Sequence, residues 1–446
     1  MIGTHLQLRE WLRACGFRRL LWVAGLTALT AALFHLAYLL GDRYHLWGVP
    51  SVPGVWLDDP FYPNKGKLTI PNLTSHACLR NWRNSSEKEL LEYSKAYREV
   101  WSDEAATFCA SGGSLALTGS GDPKHLPHFA IDYFTYLSLL SWQDLIYDGK
   151  SCLRHFLIDE QAIEFWTAIS KAEPIWVQQI LHYTGMAITV NHLASRAAAL
   201  DEHGVKLLPV PNDGRRIWFL HGSEATWLGS IILGEKDVCA SVSNTRATRV
   251  ANNNLNVLIL QREWARKLLN PDEIVNTFHH LGGATRFNTS VANFDGKRLE
   301  DQVRETRDAD IIMSVHGAGL TNWGFLRPCA IAIEVLPFGL GVAPNSHYFG
   351  VLVNRVGALH YSWVESKPRC PLIKDAFLDG GYNCKKIFNP IPSDPADAVK
   401  WCYPNKYCRA CAKLTAVNVN VTTLKRFLGT ALEDRQKCLR THPLYA

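Results

Sequence analysis

A glycine-rich turn directly follows a short apolar run in the 446-residue chain. The run IIMSV (311–315) is followed by His316, and Gly317, Ala318 and Gly319 come next. Glycines just beyond a strand let backbone N–H groups approach a ligand closely, and the positive end of a following helix favours an anion. The turn therefore predicts a phosphate or diphosphate site. A tight strand-to-helix turn without a ligand has the same pattern and stays open as the alternative.

Two arginines strengthen the prediction of an anion site. Arg262 and Arg266 lie four residues apart in QREWARKLLN, directly after the apolar run LNVLIL (255–260). On a helical turn, residues at this spacing project from one face, so both guanidinium groups would lie at the same edge of a sheet. Two such cations can hold a diphosphate by paired hydrogen bonds. The alternative is an ordinary solvated helix face.

Two acidic features lie near the same apolar runs. Glu334 follows the run AIAI, where its carboxylate could accept hydrogen bonds from a ribose hydroxyl; the alternative is a helix cap or an ion-pair partner. Asp308 and Asp310 form an Asp-X-Asp pattern, whose two carboxylates could hold a metal ion. This pair precedes its strand, which places it at the edge opposite the expected ligand. We therefore predict a structural role for the pair and no metal site.

Strand-like and helix-like segments alternate between residues 255 and 337. The predicted strands are LNVLIL, TRFNTSV, IIMSV and AIAIEVLPF, and the predicted helices are PDEIVNTFHHLGG, KRLEDQVRETRDA and GLTNWGFLRP. Alternation at this spacing predicts an α/β fold with a parallel sheet and crossover helices. Ligands of such sheets bind outside the carboxyl ends of the strands, where His316, Gly317 and Glu334 are expected. Upstream the pattern is mixed, with helical periodicity in ELLEYSKAYREVW and EFWTAISKAEPIWVQQILHY and strand-like runs in RRIWFL and GSIIL.

The N-terminal region has the layout of a single-pass type II membrane protein. Residues 20–40 lack formal charge and are long enough to cross a bilayer, whereas a cleaved signal peptide normally has a shorter apolar region. Four arginines precede this segment, so residues 1–19 are predicted to be cytosolic. Residues 41–84, rich in proline at their start, would form a stem, followed by a luminal N-terminal domain (85–240) and a C-terminal domain (241–446).

Charge and cysteine content limit the remaining possibilities. The net charge is +6, of which +3 comes from Arg9, Arg13, Arg18 and Arg19 against Glu10, so nothing indicates a nucleic-acid partner. Eleven of the 12 cysteines lie on the predicted luminal side, which favours disulfides and leaves one cysteine either unpaired or shared with another chain. A C-terminal cluster is expected to form disulfides rather than a zinc site. The cluster comprises Cys370, Cys384, Cys402, Cys408, Cys411 and Cys438. Four N-glycosylation sequons also face the predicted lumen, at Asn72, Asn84, Asn288 and Asn420.

The segments QREWARKLLN, PDEIV, ADIIMSVHGAGLTN and IEVLPF together resemble the C-terminal half of glycosyltransferase family 61. This family includes plant β-1,2-xylosyltransferases and animal protein O-linked N-acetylglucosaminyltransferases. The resemblance is specific over about residues 255–340. It is fainter upstream, in PHFAIDYF and GEKDVCASV.

The resemblance implies a GT-B fold of two facing Rossmann-like domains and a UDP-sugar bound mainly by the C-terminal domain. By resemblance, the donor phosphates are bound by Arg262 and Arg266. The glycine-loop part of that site is then formed by His316, Gly317, Ala318, Gly319 and Asn322. Such a site stabilises the leaving diphosphate without a metal, so no cofactor is expected.

The family is expected to invert the anomeric centre, which requires a general base for the acceptor hydroxyl. His128 and Asp132 of HFAIDYF are the candidates, and a core role for His128 is the alternative. The leading hypothesis is a Golgi-membrane enzyme that transfers xylose or N-acetylglucosamine to a glycoprotein or glycan, since the C-terminus HPLYA is not a KDEL-type signal. An inactive carbohydrate-binding or scaffolding protein is the main competitor. A nucleotide-dependent oxidoreductase is disfavoured because the dinucleotide fingerprint is absent.

Overall fold

The computed structural model describes much of the chain beyond residue 76. The described residues are 77–85, 103–118, 126–146, 152–159, 176, 179–180, 183, 187–190, 205–209, 218–219, 221–239, 254–263, 265–281, 286–340, 348–365, 384–388 and 392–445. All of them belong to one compact unit, Tyr62–Ala446. The predicted cytosolic tail and membrane span lie outside these ranges. Among the described residues, no helix combines the length and the apolar character that crossing a bilayer requires. The predicted domain boundary at residue 240 stays a prediction.

A five-stranded parallel sheet forms the half of the chain that carries the arginines and the glycine turn. Its strands are β5 (Asn254–Leu260), β6 (Arg286–Ala292), β7 (Ile311–Val315), β8 (Ile331–Leu336) and β9 (Leu359–Val364), in the order β6-β5-β7-β8-β9. All neighbouring pairs are parallel. The strand order reverses direction between β5 and β7, so the sheet is doubly wound with its switch point there. Open α/β sheets bind ligands at this point, outside the carboxyl ends of the strands.

Alternate residues of the central strands enter two different hydrophobic clusters. Val257 and Ile259 pack with helices α5 (Pro271–Leu281) and α11 (Val421–Thr441) on one face, and Leu258 and Leu260 face the other. That second face is covered by α6 (Leu299–Asp308) and by the 3-10 helix η1 (Ala318–Phe325). Helices on both faces explain why these strands are near-continuous apolar runs.

A second parallel sheet lies in the N-terminal half. It contains β1 (Ser114–Thr118), β2 (Leu153–Asp159), β3 (Ala187–Val190) and β4 (Val205–Pro209) in the order β3-β2-β1-β4. The described residues of the same half also form the helices α1 (Ala77–Ser85), α2 (Asp103–Ala110), α3 (Leu126–Ile146) and α4 (Gly222–Ile232). The predicted α/β class with parallel sheets is therefore confirmed.

Helices α3 and α4 are joined by a buried polar network. The Glu224 carboxylate accepts hydrogen bonds from Ser138 Oγ (2.6 Å), from Trp142 Nε1 and from the His221 backbone N–H (3.2 Å). The His221 side chain in turn accepts from the N–H of Ser223 (3.2 Å), which completes a capping box at the start of α4. This cap satisfies backbone donors that would otherwise be buried without partners.

One segment predicted to be a strand is part of helix α4 in the structure. GSIIL was predicted to be strand-like, but it forms the end of α4 and the residue that follows it, because a short apolar run alone does not distinguish a strand from a fully buried helix. Trp218 and Phe219 of the predicted strand RRIWFL belong to no strand. The helix predicted over ELLEYSKAYREVW lies outside the described residues. Downstream, the strands and helices predicted between residues 255 and 337 are confirmed, with η1 a 3-10 helix.

The C-terminal part contains α7 (Tyr348–Arg355), three short helices and the long α11. The short helices are α8 (Cys384–Phe388), α9 (Pro395–Cys402) and α10 (Lys406–Ala412). Five disulfides join the ten cysteines of the described residues, as the sequence predicted. They are Cys78–Cys239, Cys109–Cys152, Cys329–Cys438, Cys384–Cys411 and Cys402–Cys408. Cys370 lies outside the described residues.

The Asp-X-Asp pair lies at the amino end of β7, as predicted. One Asp310 carboxylate oxygen accepts from the N–H of Asn256 (2.9 Å), and the other accepts from Arg435 of α11 (2.8 Å). Asp308 pairs with Arg327 at 3.5 Å. Asp310 therefore connects β5, β7 and α11, which is the structural role predicted for it.

Candidate functional site

The loop after β5 is held in shape by one amide side chain. Gln261 Nε2 donates to the carbonyl oxygen of Leu268 (2.9 Å), and its Oε1 accepts from the N–H groups of Arg262 and Leu268 (both 2.9 Å). Arg262 Nε adds a hydrogen bond to the carbonyl oxygen of Ala265 (3.1 Å). These contacts close the loop between Gln261 and Leu268, and its described residues form no helix, so the helical turn predicted to carry Arg262 and Arg266 is wrong.

Arg266 has an unusual backbone conformation within this turn. Its φ is +60°, in the left-handed region that costs a non-glycine residue about 1–2 kcal/mol. Such strain persists only where surrounding contacts enforce it, and it is concentrated at functional sites. The left-handed turn, rather than helical spacing, directs the Arg266 side chain toward the carboxyl end of β7.

Both arginines meet at Gly317. Arg266 Nη1 donates to the carbonyl oxygen of His316 (2.8 Å). A β-carbon added to Gly317 would lie 2.5 Å from Arg262 Nη1 and 3.2 Å from Arg266 Nη1. The φ of Gly317 is 168°, an extended value that any residue adopts, so the backbone does not require glycine here. Glycine is required because the two guanidinium groups occupy the space that a side chain would fill. The loops after β5 and β7 thus converge at the switch point, as the sequence predicted.

The arginine pair carries charge without a carboxylate partner among the described residues. Burial lowers the pKa of Arg266 to about 10, and the charge of Arg262 adds to this effect. Burial also lowers the pKa of Arg262, against a weaker opposing effect from Asp295. Two adjacent half-buried cations repel each other and lose hydration, so an anion bound between them would relieve both costs.

A buried carboxylate orients His316 next to the arginines. Glu334 Oε1 lies 2.5 Å from His316 Nδ1, and Oε2 lies 2.9 Å from Nε2 of His360. Burial alone would raise the pKa of Glu334, but hydrogen bonds and charge from the two histidines outweigh it and lower the pKa to about 2. Both oxygens are occupied, so the predicted ribose contact would have to share one with an imidazole. The ion-pair alternative describes the contacts of Glu334 better.

The remaining residues of the glycine turn divide between the site and the interior. A β-carbon at Gly319 would meet nothing within 4 Å, so the space above it is open, and Ala318 begins η1. Asn322 is buried, accepts from Trp176 Nε1 (3.0 Å) and donates to Gln302 Oε1 (2.8 Å) and to the carbonyl oxygen of Gly319 (3.3 Å). Asn322 therefore stabilises the turn from the protein interior and does not face the open space above Gly319.

The proposed general bases lie on α3. Asp132 is buried with 6% of its surface exposed. The His128 side chain lies outside the described residues. Their catalytic roles stay predictions.

Three of the four sequons are described. Asn84, Asn288 and Asn420 are exposed, and Asn72 lies outside the described residues. Asn420 also caps α11, where its side-chain oxygen accepts from the N–H groups of Thr422 and Thr423. Glycosylation at these positions stays a prediction.

Part of the sequence matches a known protein family. Residues 126–333 match the family model described as Glycosyltransferase 61, a range that includes α3, both arginines and the glycine turn. The predicted resemblance to glycosyltransferase family 61 is confirmed. The family 61 match ends at β8, one residue before Glu334.

Curated relatives match stretches of about 83 residues of this chain. A beta-1,2-xylosyltransferase of Oryza sativa subsp. japonica is 37% identical over 83 residues, which cover 19% of this chain and 14% of the relative. An alpha-1,3-arabinosyltransferase of the same plant is 36% identical over 83 residues, with the same coverage. An EGF domain-specific O-linked N-acetylglucosamine transferase of Mus musculus is 39% identical over 82 residues, covering 18% of this chain and 15% of that protein. The matches thus span about a seventh of each relative's length.

Sequence reasoning missed two residues that organise the site. Gln261 holds the arginine loop, and His360 on β9 occupies the second oxygen of Glu334. A glutamine directly after a buried strand is a weak signal. His360 lies 26 residues from Glu334, and only the sheet register brings them together.

Proposed function

We propose that the chain is an inverting glycosyltransferase that uses a UDP-sugar donor, with xylose or N-acetylglucosamine as the sugar. The observation that carries the proposal is the pair of half-buried arginines against Gly317, at the switch point of a doubly wound sheet. The family 61 match and the transferase names of the relatives support it. The two parallel sheets are compatible with the GT-B arrangement, which is part of the proposal.

In the proposed reaction, an acceptor hydroxyl oxygen attacks the anomeric carbon of the donor. The bond between this carbon and the diphosphate oxygen breaks, and its electron pair leaves with UDP. The hydroxyl proton passes to a base, for which Asp132 and His128 are the proposed candidates. Arg262 and Arg266 would stabilise the negative charge that develops on the leaving diphosphate, without a metal. The acceptor would be a hydroxyl of a glycoprotein or glycan.

The proposal includes a location. The uncharged segment 20–40 would anchor the enzyme as a type II Golgi-membrane protein, with the catalytic part in the lumen. The five disulfides support an oxidising compartment.

Release of UDP tests the proposal directly. The full chain would be incubated with a panel of UDP-sugars and mixed glycoprotein acceptors, with and without a chelator. We expect acceptor-dependent turnover of one donor that survives the chelator. Binding of donors without turnover on any acceptor would favour a carbohydrate-binding or scaffolding protein, and a folded chain that binds no UDP-sugar would contradict the proposed site.

Glu334 is expected to act as a positioning residue for His316. Because Glu334→Gln keeps the shape but removes the charge, the His316 ring loses its fixed orientation, and kcat/KM should fall about 10- to 100-fold. The matched control is Glu365→Gln, another buried carboxylate that accepts from Trp363 Nε1 (3.0 Å) and from the N–H of Asn420 (3.2 Å), outside the site.

Parallel kinetics and thermal unfolding of both variants would separate the roles. A purely structural Glu334 would lower stability in its variant and leave kcat/KM close to that of Glu365→Gln. A selective loss of turnover in Glu334→Gln identifies the positioning role.

A further inference from the structure

The C-terminal segment that precedes α11 is attached to the arginine loop. Val417 donates its N–H to the carbonyl oxygen of Lys267 (2.8 Å) and accepts from the N–H of Leu269 (2.8 Å). Asn270 adds a side-chain clamp, accepting from the N–H of Val419 (2.9 Å) and donating to its carbonyl oxygen (3.0 Å). The segment therefore runs directly beside the residues that follow Arg266.

Lys413 begins this segment on a rigid support. It caps the C-terminal end of α10, where its N–H donates to the carbonyl oxygens of Arg409 and Cys411. Helix α10 is held by two disulfides, Cys402–Cys408 and Cys384–Cys411. The lysine backbone thus has a fixed position relative to the arginine loop, and its side chain is exposed.

Lys413 lies within electrostatic range of Arg266. Partial burial lowers the pKa of Lys413, and the charges of Arg266 and Arg409 lower it further. Among the described residues, no carboxylate forms an ion pair with Lys413, Arg262 or Arg266. A lysine held near an uncompensated cation is electrostatically unfavourable unless an anion lies between them.

We propose that Lys413 is a third cation of the anion site and contacts the diphosphate of the bound nucleotide together with Arg266. This inference rests on the proposed function and deepens it, because it gives the disulfide-held C-terminal segment a part in donor recognition. A lysine is a compact charge on a flexible stem, which suits a ligand at the rim of the site. The two arginine side chains, in contrast, are fixed by hydrogen bonds to the carbonyl oxygens of Ala265 and His316.

Binding of UDP, inorganic pyrophosphate and uridine to the full chain tests the inference. We expect Lys413→Ala to weaken UDP and pyrophosphate about 5- to 10-fold, to leave uridine unchanged and to reduce the salt dependence of UDP binding. Lys413→Arg, which keeps the charge, should bind within about twofold of the wild type. Lys425→Ala removes an exposed lysine of α11 and serves as the matched control.

The outcomes distinguish this inference from the proposed function. If Arg262→Ala/Arg266→Ala loses UDP binding but Lys413→Ala and Lys413→Gln bind like the wild type, Lys413 has no part in the site and the function stands. If the folded wild type binds neither UDP nor pyrophosphate, both proposals are wrong. Should Lys413→Ala fold poorly, Lys413→Gln gives the same measurement with a longer side chain.

Discussion

The double variant Arg262→Ala/Arg266→Ala is expected to lower kcat/KM by about 1,000-fold. Each guanidinium group would supply charge-assisted hydrogen bonds worth about 1.5–3 kcal/mol to the leaving diphosphate. Removing an electrostatic stabiliser of a transition state typically costs about 100- to 1,000-fold. The measurement is steady-state turnover of the preferred UDP-sugar. Stability should change much less than activity, because relief of the repulsion between two adjacent cations offsets the loss of their hydrogen bonds to the carbonyl oxygens of Ala265 and His316.

The control for this prediction removes the N-cap arginine of α6 and one arginine within that helix. Arg298 and Arg304 have side chains that are 62% and 57% exposed and pair with Glu300 and Asp301. Surface pairs of this kind contribute little, so Arg298→Ala/Arg304→Ala should keep wild-type turnover. If the Arg262/Arg266 variant retained activity within threefold of this control, the diphosphate site would lie elsewhere.

The second large effect is expected on stability. Arg435→Ala should lower the free energy of unfolding by about 3–5 kcal/mol, because it leaves Asp310 buried at the amino end of β7 without its cation. The measurement is the free energy of unfolding from denaturant titration, under conditions in which the protein unfolds in a single transition. Arg440→Ala, an exposed arginine on the same helix, should change stability by less than about 0.5 kcal/mol.

A double-mutant cycle would identify the cause. If the unpaired charge is responsible, Asp310→Ala/Arg435→Ala should be less destabilised than the sum of the two single variants. Equal and additive losses would instead indicate that the pair contributes only through packing.

The sequence predicts the doubly wound half of the chain well because its strands are buried on both faces. Runs such as LNVLIL and IIMSV alternate with helical patterns, and this alternation, rather than the runs alone, identifies them as strands. GSIIL failed for the opposite reason. The same run of apolar residues suits a buried helix, and in the structure it ends a helix that begins with the capping box of Glu224 and His221.

The candidate site was predictable in its residue types but not in its geometry. Arg262 and Arg266 were selected for helical spacing, yet they meet at Gly317 through a left-handed turn held by Gln261. Turn conformations of this kind depend on contacts between residues that no periodic pattern relates. The partners of Glu334 were hidden for a similar reason, since His360 reaches it from the neighbouring strand.

The positive φ of Arg266 means that the residue type expected to favour turnover at this position differs from the one that the backbone favours. Glycine adopts this conformation without steric cost, whereas alanine keeps the penalty. Arg266→Gly should therefore be more stable than Arg266→Ala by about 1 kcal/mol, as thermal unfolding would show, and both should have impaired turnover. Equal stabilities would mean that the turn relaxes once the guanidinium is gone. Under the proposed function, a change to glycine here would relieve the backbone strain and lose donor binding, so selection for transfer would retain the arginine despite its strained turn.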